Sequence, residues 1–196
     1  MARPYKVVIM DTETGGLDAR RHSILTVGIA LLENGKVTES TEFYVDEGEI
    51  IAEEAALAVN NLTIPEIKKK GLSPKDALSE IKSFIPESFL VERGKAILGG
   101  HNIAFDMRFL ERLGRLGGHR NFVEDVFHYR VIDTASIMQF LYLRGELTRK
   151  ISALGTCCEH YNVPLVKAHT AEADAVATAQ LLSTVIGGNN SDGLFG

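Results

Sequence analysis

Short apolar segments separated by turn signals dominate the first part of the chain and predict β-strands. The run Tyr5–Met10 is apolar and rich in β-branched residues, which is typical of a strand buried on both faces, and the pattern ends it at Asp11. The segments Ile24–Leu32 and Val37–Val45 flank an Asn-Gly pair at positions 34–35, a dipeptide favoured in tight hairpin turns. The pattern therefore predicts three strands, the last two of which form an antiparallel hairpin.

Apolar residues recur at helical spacing through most of the remaining chain. Ser73 followed by Pro74 opens the first helix, because serine caps a helix and proline fits its first turn. Two short apolar runs, at 96–98 and 131–133, read as further strands. The other helices are predicted at 104–116, 135–143, 151–161 and 171–185. This order predicts an α/β fold with a mixed five-stranded sheet, three antiparallel strands then parallel strands, flanked by helices.

The length of 196 residues fits one domain, which we place at 1–186, with a flexible glycine- and asparagine-rich tail at 187–196. No apolar stretch is long enough to cross a bilayer, and the first residues lack a signal-peptide pattern. The two cysteines, Cys157 and Cys158, are adjacent and give no disulfide framework. Core packing explains this pair better than metal binding. We therefore expect a cytoplasmic protein with no membrane partner.

Two carboxylates, Asp11 and Glu13, stand two residues apart after the first predicted strand. Alternation along an extended chain points both to the same side. Like charges held together need neutralisation, which a divalent metal supplies. A solvated turn is an equally good explanation for this pair alone, because Thr14-Gly15-Gly16-Leu17 follows.

Two later segments carry further candidates. Asp106 lies in the first turn of a predicted helix that follows a strand. Asp174 lies in the first turn of the last predicted helix, and His169 lies in the loop before it. Each has an ordinary explanation when taken alone, since helix dipoles favour acids in the first turn and Thr170 can cap the last helix. The three segments together are more specific than any one of them.

In this order the segments resemble the three motifs of the DEDDh (DnaQ-like) 3′→5′ exonucleases, a family with an RNase H-like fold. The motifs are Asp11 to Leu17, then His101-Asn102-x-x-Phe105-Asp106, then His169-x-Ala171-x-x-Asp174. The resemblance implies hydrolysis assisted by two divalent ions, Mg²⁺ or Mn²⁺, which stabilise the attacking and leaving oxygens of the phosphodiester. It implies nucleoside 5′-monophosphates as products.

The resemblance also implies a role for each catalytic position. Asp11 would bridge the two ions, while Glu13 and Asp174 would hold the ion that activates the nucleophile. Asp106 would act partly through water. His169 would be the general base that takes a proton from the attacking water, since its ordinary pKa lies near neutrality.

Several further positions would contact the terminal nucleotide in such an enzyme. Leu17 would act as an apolar wedge, and Phe105 would either stack on a base or pack in the core. Asn61 matches weakly, because Leu62 follows where relatives have glycine. The predicted substrate-binding residues are Thr14, Gly15, Leu17, Asn61, His101, Asn102 and Phe105.

Other polar features have simpler explanations. Asp133 is better placed to cap the following helix than to bind metal. A Leu194–Phe195 pair faintly resembles peptides that bind sliding clamps, but the expected leading glutamine is missing. A basic cluster that could meet phosphates is more typical of a solvated helix end; its members are Arg112, Arg115, His119 and Arg120.

The net charge of −5 disfavours tight duplex binding, although two bound divalent ions would leave only about −1. The first hypothesis is a DNA exonuclease similar to the proofreading epsilon subunits of bacterial DNA polymerase III. Its substrate would be a single-stranded DNA 3′ end, and a polymerase subunit or sliding clamp would be a separate partner. The second is an RNA-trimming enzyme similar to RNase T, which would imply a homodimer, or to oligoribonuclease. A non-catalytic binding module is the third, and it is disfavoured because no motif residue is lost.

Overall fold

The computed structural model describes residues 3–165 and 170–187. The five predicted strands form one mixed sheet with the order β3-β2-β1-β4-β5. The first three pair antiparallel, whereas β4 and β5 continue from β1 in parallel. The strands are β1 (Lys6–Thr14), β2 (Ile24–Glu33), β3 (Lys36–Tyr44), β4 (Leu98–Gly100) and β5 (Ile132–Asp133). The predicted fold class is confirmed.

The helices are α1 (Glu54–Val59), α2 (Ile64–Lys70), α3 (Pro74–Phe84), α4 (Ala104–Leu116), α5 (Phe122–Val126), α6 (Thr134–Leu143), α7 (Leu154–Tyr161) and α8 (Ala171–Gly187). The capped start of α3 is confirmed, since the Ser73 hydroxyl accepts a hydrogen bond from the Asp76 N–H. The short helices α1, α2 and α5 were not predicted, and α7 begins three residues later than the apolar pattern indicated.

The end predicted for β1 at Asp11 is wrong. The strand continues to Thr14 because its polar residues still pair with β2, with Asp11 opposite Gly28 and Glu13 opposite Thr26. Pairing with a distant strand outweighs the turn-like composition of this segment. Both carboxylates are therefore held by a hydrogen-bonded strand and not by a solvated turn.

The two faces of the sheet are covered by different helices. Val8 and Met10 of β1 face a large core cluster that includes Phe109 and Leu113 of α4. Their neighbours on β1 face the opposite layer, where the small residues of α8 pack on the sheet; the cluster there comprises Val7, Ile9, Ala30, Leu32, Ala175, Ala179 and Leu182. This alternation places every second side chain of β1 under α8.

A third cluster joins α6, α7 and α8 and contains both cysteines. Cys157 and Cys158 are fully buried, which confirms core packing as the reason for the pair. Burial raises the pKa of the Cys158 thiol to about 11, so this side chain stays protonated at neutral pH.

The tail predicted at 187–196 lies outside the described residues except for Gly187, which ends α8. The Leu194–Phe195 pair lies outside them as well. Among residues 3–165 and 170–187, no helix combines the length and apolar character needed to cross a bilayer.

Candidate active site

Three carboxylates converge at the carboxyl-terminal part of β1. Asp11 and Glu13 occupy alternate positions on this strand and so point to the same face of the sheet. Asp174 comes from the first turn of α8, which packs on that face. One oxygen from each carboxylate lies within 4.8 Å of the other two. The structure therefore brings these three side chains together, as predicted.

A glycine on β2 allows α8 to approach this closely. Gly28 pairs with Asp11, and a Cβ atom added there would lie 2.0 Å from the carbonyl carbon of Ala171 and 2.4 Å from the Glu172 nitrogen. No side chain fits in that space. The absence of a Cβ at position 28 therefore lets the first turn of α8 rest directly on the sheet beside the carboxylates.

The neighbouring strand β3 anchors the same helix end. Glu42 is paired with Gly28, and its carboxylate accepts a hydrogen bond of 2.9 Å from the Ala171 N–H. The Ser40 hydroxyl donates a hydrogen bond of 2.6 Å to Glu172. These contacts satisfy a backbone donor that the first turn of a helix leaves unpaired, and they fix the helix over the sheet. No pattern in the sequence pointed to Gly28 or Glu42.

Thr170 caps α8, as predicted. Its hydroxyl accepts a hydrogen bond of 3.2 Å from the Ala173 N–H, and its carbonyl oxygen accepts one of 3.0 Å from the Asp174 N–H. These bonds set the direction in which the first turn of α8 begins. His169, the predicted general base, directly precedes this cap and lies outside the described residues.

The fourth predicted carboxylate, Asp106, reaches the site from the opposite face of the sheet. It is only 3% exposed and accepts a hydrogen bond of 2.7 Å from the Thr12 hydroxyl. Thr12 lies between Asp11 and Glu13 on β1 and so points away from α8. Asp106 is therefore not part of the compact group of three. Strand alternation could have identified Thr12 as its partner, but sequence reasoning missed it.

Burial and the repulsion between neighbouring carboxylates disfavour the ionised forms of these side chains and raise their pKa values. Burial, followed by the charges of Asp106, Glu13 and Asp174, raises the pKa of Asp11 well above its usual range. Burial, followed by the charge of Asp174, raises the pKa of Glu13 to about 7. Burial also raises the pKa of Asp106 to about 7, although the hydrogen bond from Thr12 opposes this shift.

These properties fit a divalent cation. The close group offers carboxylate oxygens, which are the ligands that Mg²⁺ and Mn²⁺ prefer. Within the described residues, none of the ion pairs involving lysine, arginine or histidine includes Asp11, Glu13 or Asp106. Bound cations would supply positive charge to these carboxylates.

The metal-free protein is expected to unfold at a lower temperature at about pH 8 than at about pH 5. Glu13 has a pKa of about 7 in the folded state against an ordinary value of 4.5. The folded state thus binds more protons than the unfolded chain between these values, and its stability falls as the pH rises through them. Asp11 and Asp106 shift in the same direction. Thermal unfolding in EDTA across this pH range measures the effect.

The matched variant for this measurement is Glu13→Gln, which has no proton to lose at this position. Its unfolding temperature should change less between about pH 5 and pH 8 than that of the parental protein. Mg²⁺ or Mn²⁺ added at the higher pH should raise the parental unfolding temperature, because a ligand that binds only the folded state stabilises it. A parental unfolding temperature that stays level or rises with pH would contradict the raised pKa values.

The segment that follows β1 is folded tightly against the residues before α1. The Gly15 N–H donates to the Ser23 carbonyl at 2.8 Å, and its carbonyl accepts from the Glu53 N–H at 2.7 Å. The Thr14 hydroxyl is buried and donates to the Gly16 carbonyl at 2.9 Å. By contrast, Leu17 is 82% exposed. This predicted contact thus presents an apolar side chain to solvent four residues after Glu13.

Asn60, and not Asn61, is brought to β1. The Asn60 side chain is buried, and its amide donates to the Thr14 carbonyl at 3.5 Å. Asn61 is exposed and has a left-handed backbone with φ of 52°. The reversal of chain direction between α1 and α2 therefore turns the predicted side chain away from the strand.

His101 links three segments near the site. Its Nδ1 atom lies 2.8 Å from the Thr134 hydroxyl, and its Nε2 atom lies 2.8 Å from the Ser152 carbonyl oxygen. Because a carbonyl only accepts, Nε2 carries a hydrogen and donates it. His101 therefore holds the end of β4 against α6 and the segment before α7.

Asn102 and Phe105, which follow His101, differ in how far their side chains are exposed. The Asn102 N–H donates to Asp133 at 2.7 Å, while its own side chain is exposed. Asp133 also accepts from the Ala135 N–H at 3.0 Å, which confirms it as the cap of α6. Phe105 is half-buried, and its ring centroid lies 5.0 Å from that of Phe109. It packs against the core, and the Arg108 guanidinium carbon lies 5.9 Å from the centre of its ring.

The basic cluster predicted after the second motif, in α4 and just beyond it, separates into two kinds of residue. Arg112 forms an ion pair of 2.7 Å with Glu47, whose side chain is 1% exposed, so this arginine supports the fold. His119 contacts Asp125 at 2.8 Å. Arg115 and Arg120 are exposed. Arg112 is thus excluded from phosphate binding by its buried partner.

Comparison with known proteins agrees with this arrangement. The most similar curated relatives include PolC-type DNA polymerase III of Halalkalibacterium halodurans, 31% identical over 179 residues that cover 89% of this chain and 11% of the polymerase. The polymerase of the same type from Lacticaseibacillus paracasei is 31% identical over 175 residues, with coverages of 89% and 11%. The chain thus spans about a tenth of the length of these relatives.

Solved structures show the same fold. E. coli exonuclease I in complex with a dA16 oligonucleotide superposes with a TM-score of 0.76 at 19% identity, covering 92% of this chain and 40% of that protein. Its product-bound structure gives 0.72 at 18% identity, with coverages of 91% and 42%. A sequence model of the RNase T exonuclease family matches residues 8–182. The chain therefore belongs to the RNase T family of exonucleases, as its DEDDh motifs indicated.

Proposed function

We propose that this protein is a metal-dependent 3′→5′ exonuclease that releases nucleoside 5′-monophosphates from single-stranded DNA. The observation that carries the proposal is the convergence of Asp11, Glu13 and Asp174 within 4.8 Å at the end of a buried strand. The relatives named above are DNA polymerases, and E. coli exonuclease I is solved with dT13 and dA16 oligonucleotides. Both support DNA as the substrate.

In the proposed mechanism, Asp11, Glu13 and Asp174 would hold two divalent cations, and these would supply positive charge to the attacking and leaving oxygens. Thr12 holds one oxygen of Asp106 by a hydrogen bond, and Asp106 would act on the site through water. His169 accepts the proton of the attacking water, a role suited to imidazole near neutral pH. Thr170 would position this histidine, since it fixes the first turn of α8 directly after it.

The terminal nucleotide would lie against the segment that follows β1. Leu17 is the exposed apolar side chain there and would separate the last base from the preceding one. The exposed part of Phe105 would contact a base, an interaction of about 1–3 kcal/mol that tolerates any sequence. A separate polymerase chain is the partner we propose, because the PolC-type relatives carry the matching segment within a polymerase. A sliding clamp and a second copy of this chain are further candidates.

The decisive experiment is digestion of a 5′-labelled single-stranded DNA and its RNA counterpart with Mg²⁺, with Mn²⁺ and with EDTA. We expect the DNA to shorten stepwise from its 3′ end, with nucleoside 5′-monophosphates released, and we expect EDTA to stop the reaction. A strand with a blocked 3′ end is the control and should remain intact.

Two outcomes would change the proposal. Preferential shortening of the RNA would replace DNA by RNA as the substrate and would leave the metal chemistry in place. Shortening in EDTA at the same rate as in Mg²⁺ would contradict the mechanism itself.

A further inference from the structure

One face of α4 forms a wall of a surface groove that also contains Leu17, one of the predicted substrate-binding residues. Arg108, Glu111 and Arg115 follow each other at spacings of three and four residues, which places them on one side of the helix. Leu17 and the following residues form the other wall, and the open depression between them has a volume of about 590 Å³. The residues that line it are Leu17, Asp18, Ala19, Arg20, Arg108, Glu111 and Arg115.

The groove shares two elements with the candidate site: α4, which also carries Asp106, and the segment that follows Glu13 on β1. α4 begins at the site, where Asp106 in its first turn contacts Thr12. Arg108 comes two residues later, and Arg115 lies nine residues beyond Asp106, about 13 Å along the helix axis. Arg108, Glu111 and Arg115 lie on the side of α4 opposite to Asp106, so a strand whose 3′ end reaches the carboxylates would pass over Leu17 to enter the groove.

The arginines that line the groove differ in whether they form an ion pair with a carboxylate. Arg20 forms an ion pair of 2.9 Å with Asp18. Arg108 and Arg115 are exposed and form no ion pair with any residue in 3–165 or 170–187. Glu111 lies between them and carries the opposite charge. The groove thus offers two guanidinium groups that no neighbouring carboxylate holds.

We propose that this groove binds the backbone phosphates of the single strand upstream of the terminal nucleotide, with Arg108 and Arg115 as the phosphate ligands. The inference rests on the proposed function and adds to it the path of the substrate. Guanidinium groups bind phosphate with paired hydrogen bonds, and local positive charge is needed because the chain as a whole carries −5. Leu17, one of the residues that line the groove, provides exposed apolar surface for a base.

Kinetics with two substrates test this path. A dinucleotide ends before the groove, whereas a longer single strand enters it. We expect Arg108→Ala and Arg115→Ala each to raise the KM for the strand, relative to the KM for the dinucleotide, by about fivefold. Each should also lower the slope of log affinity against log salt by about 0.7.

Glu111→Gln should act in the opposite direction and lower the KM for the strand, because it removes a charge that repels phosphate. A variant that merely damaged the helix would not tighten binding. Arg3→Ala is the matched control, since Arg3 is an exposed arginine beside the turn between β2 and β3, at the opposite end of β1. It should leave both KM values at the parental level.

The outcomes separate this inference from the proposed function. If the parental protein degrades both substrates and the double variant Arg108→Ala/Arg115→Ala keeps the parental ratio of KM values, the groove does not bind the strand. If the parental protein degrades neither substrate in Mg²⁺ or Mn²⁺, the proposed function fails. Fluorescence anisotropy of a labelled strand in EDTA then tests the groove without hydrolysis, and equal affinities of the parental protein and the double variant would overturn it.

Discussion

Glu13→Gln is expected to lower the rate of nucleotide release by about a thousandfold or more, because it removes one of three carboxylates that converge on the proposed metal site. The amide has nearly the shape of the carboxylate but lacks its charge, so metal affinity should fall with the rate. The fold should persist, since Glu13 lies on a strand paired along its length with β2. Single-turnover hydrolysis in Mg²⁺ and calorimetric titration with Mn²⁺ measure the two losses.

Stability separates a chemical defect from a structural one in this variant. The pKa of Glu13 is about 7, so its ionised form destabilises the metal-free protein at higher pH. At about pH 8 in EDTA, Glu13→Gln should therefore unfold at a higher temperature than the parental protein while being nearly inactive. A variant that is both inactive and less stable would indicate loss of structure instead.

The matched control is Glu39→Gln, which makes the same chemical change at an exposed position on β3. It should leave the rate, the metal affinity and the metal-free stability at their parental values. Parental activity in Glu13→Gln itself would contradict the assignment of the site. Equal losses in both variants would show that the reaction depends on the total negative charge of the protein and not on this group of carboxylates.

The acidic residues could be predicted from the sequence because their positions follow local rules. Asp11 and Glu13 share a face through strand alternation, and Asp174 falls in the first turn of a helix whose apolar pattern is clear. Their convergence on one site was implied by the resemblance of the three motifs to those of the DEDDh exonucleases. The fold class followed from the order of strands and helices, which the structure confirms.

The contacts that bring the segments together could not be predicted, because they join residues far apart in the chain. Glu42 bonds to the Ala171 N–H, 129 residues away, and Arg112 pairs with Glu47 across 65 residues. The end of β1 was misplaced for the same reason, since pairing with β2 keeps polar residues in a strand. The pattern of neighbouring residues in the sequence does not identify partners that lie so far away along the chain.

The short helices were the second feature of the fold that could not be predicted from the sequence. The helix α1 has six residues and α2 has seven, too few for an apolar period to be recognised. The turn between them decides that Asn60 faces β1 while Asn61 faces solvent. A one-residue difference in such a turn therefore determines which side chain reaches the site.

Gly28→Ala is expected to separate Asp174 from the other two carboxylates and to lower the rate by about a hundredfold. The added Cβ would lie 2.0 Å from the carbonyl carbon of Ala171, a backbone atom that cannot rotate away. The first turn of α8 must then move off the sheet, and the hydrogen bond between Glu42 and the Ala171 N–H would stretch. Crowding of this kind costs about 1–3 kcal/mol of stability, so the variant should still fold at low temperature.

The effect at Gly28 depends on the close approach of α8 and not on the loss of glycine itself, and Gly155→Ala tests this distinction. Gly155 lies in α7, and a Cβ added there would have no other described residue within 4 Å apart from its chain neighbours and the backbone of its own helix. Alanine there should raise stability by about 0.5–1 kcal/mol, because it favours the helix, and should leave the rate unchanged. Thermal unfolding, hydrolysis and Mn²⁺ titration compare the two variants. Parental activity and Mn²⁺ affinity in Gly28→Ala would show that Asp174 reaches the site without α8 resting on β2.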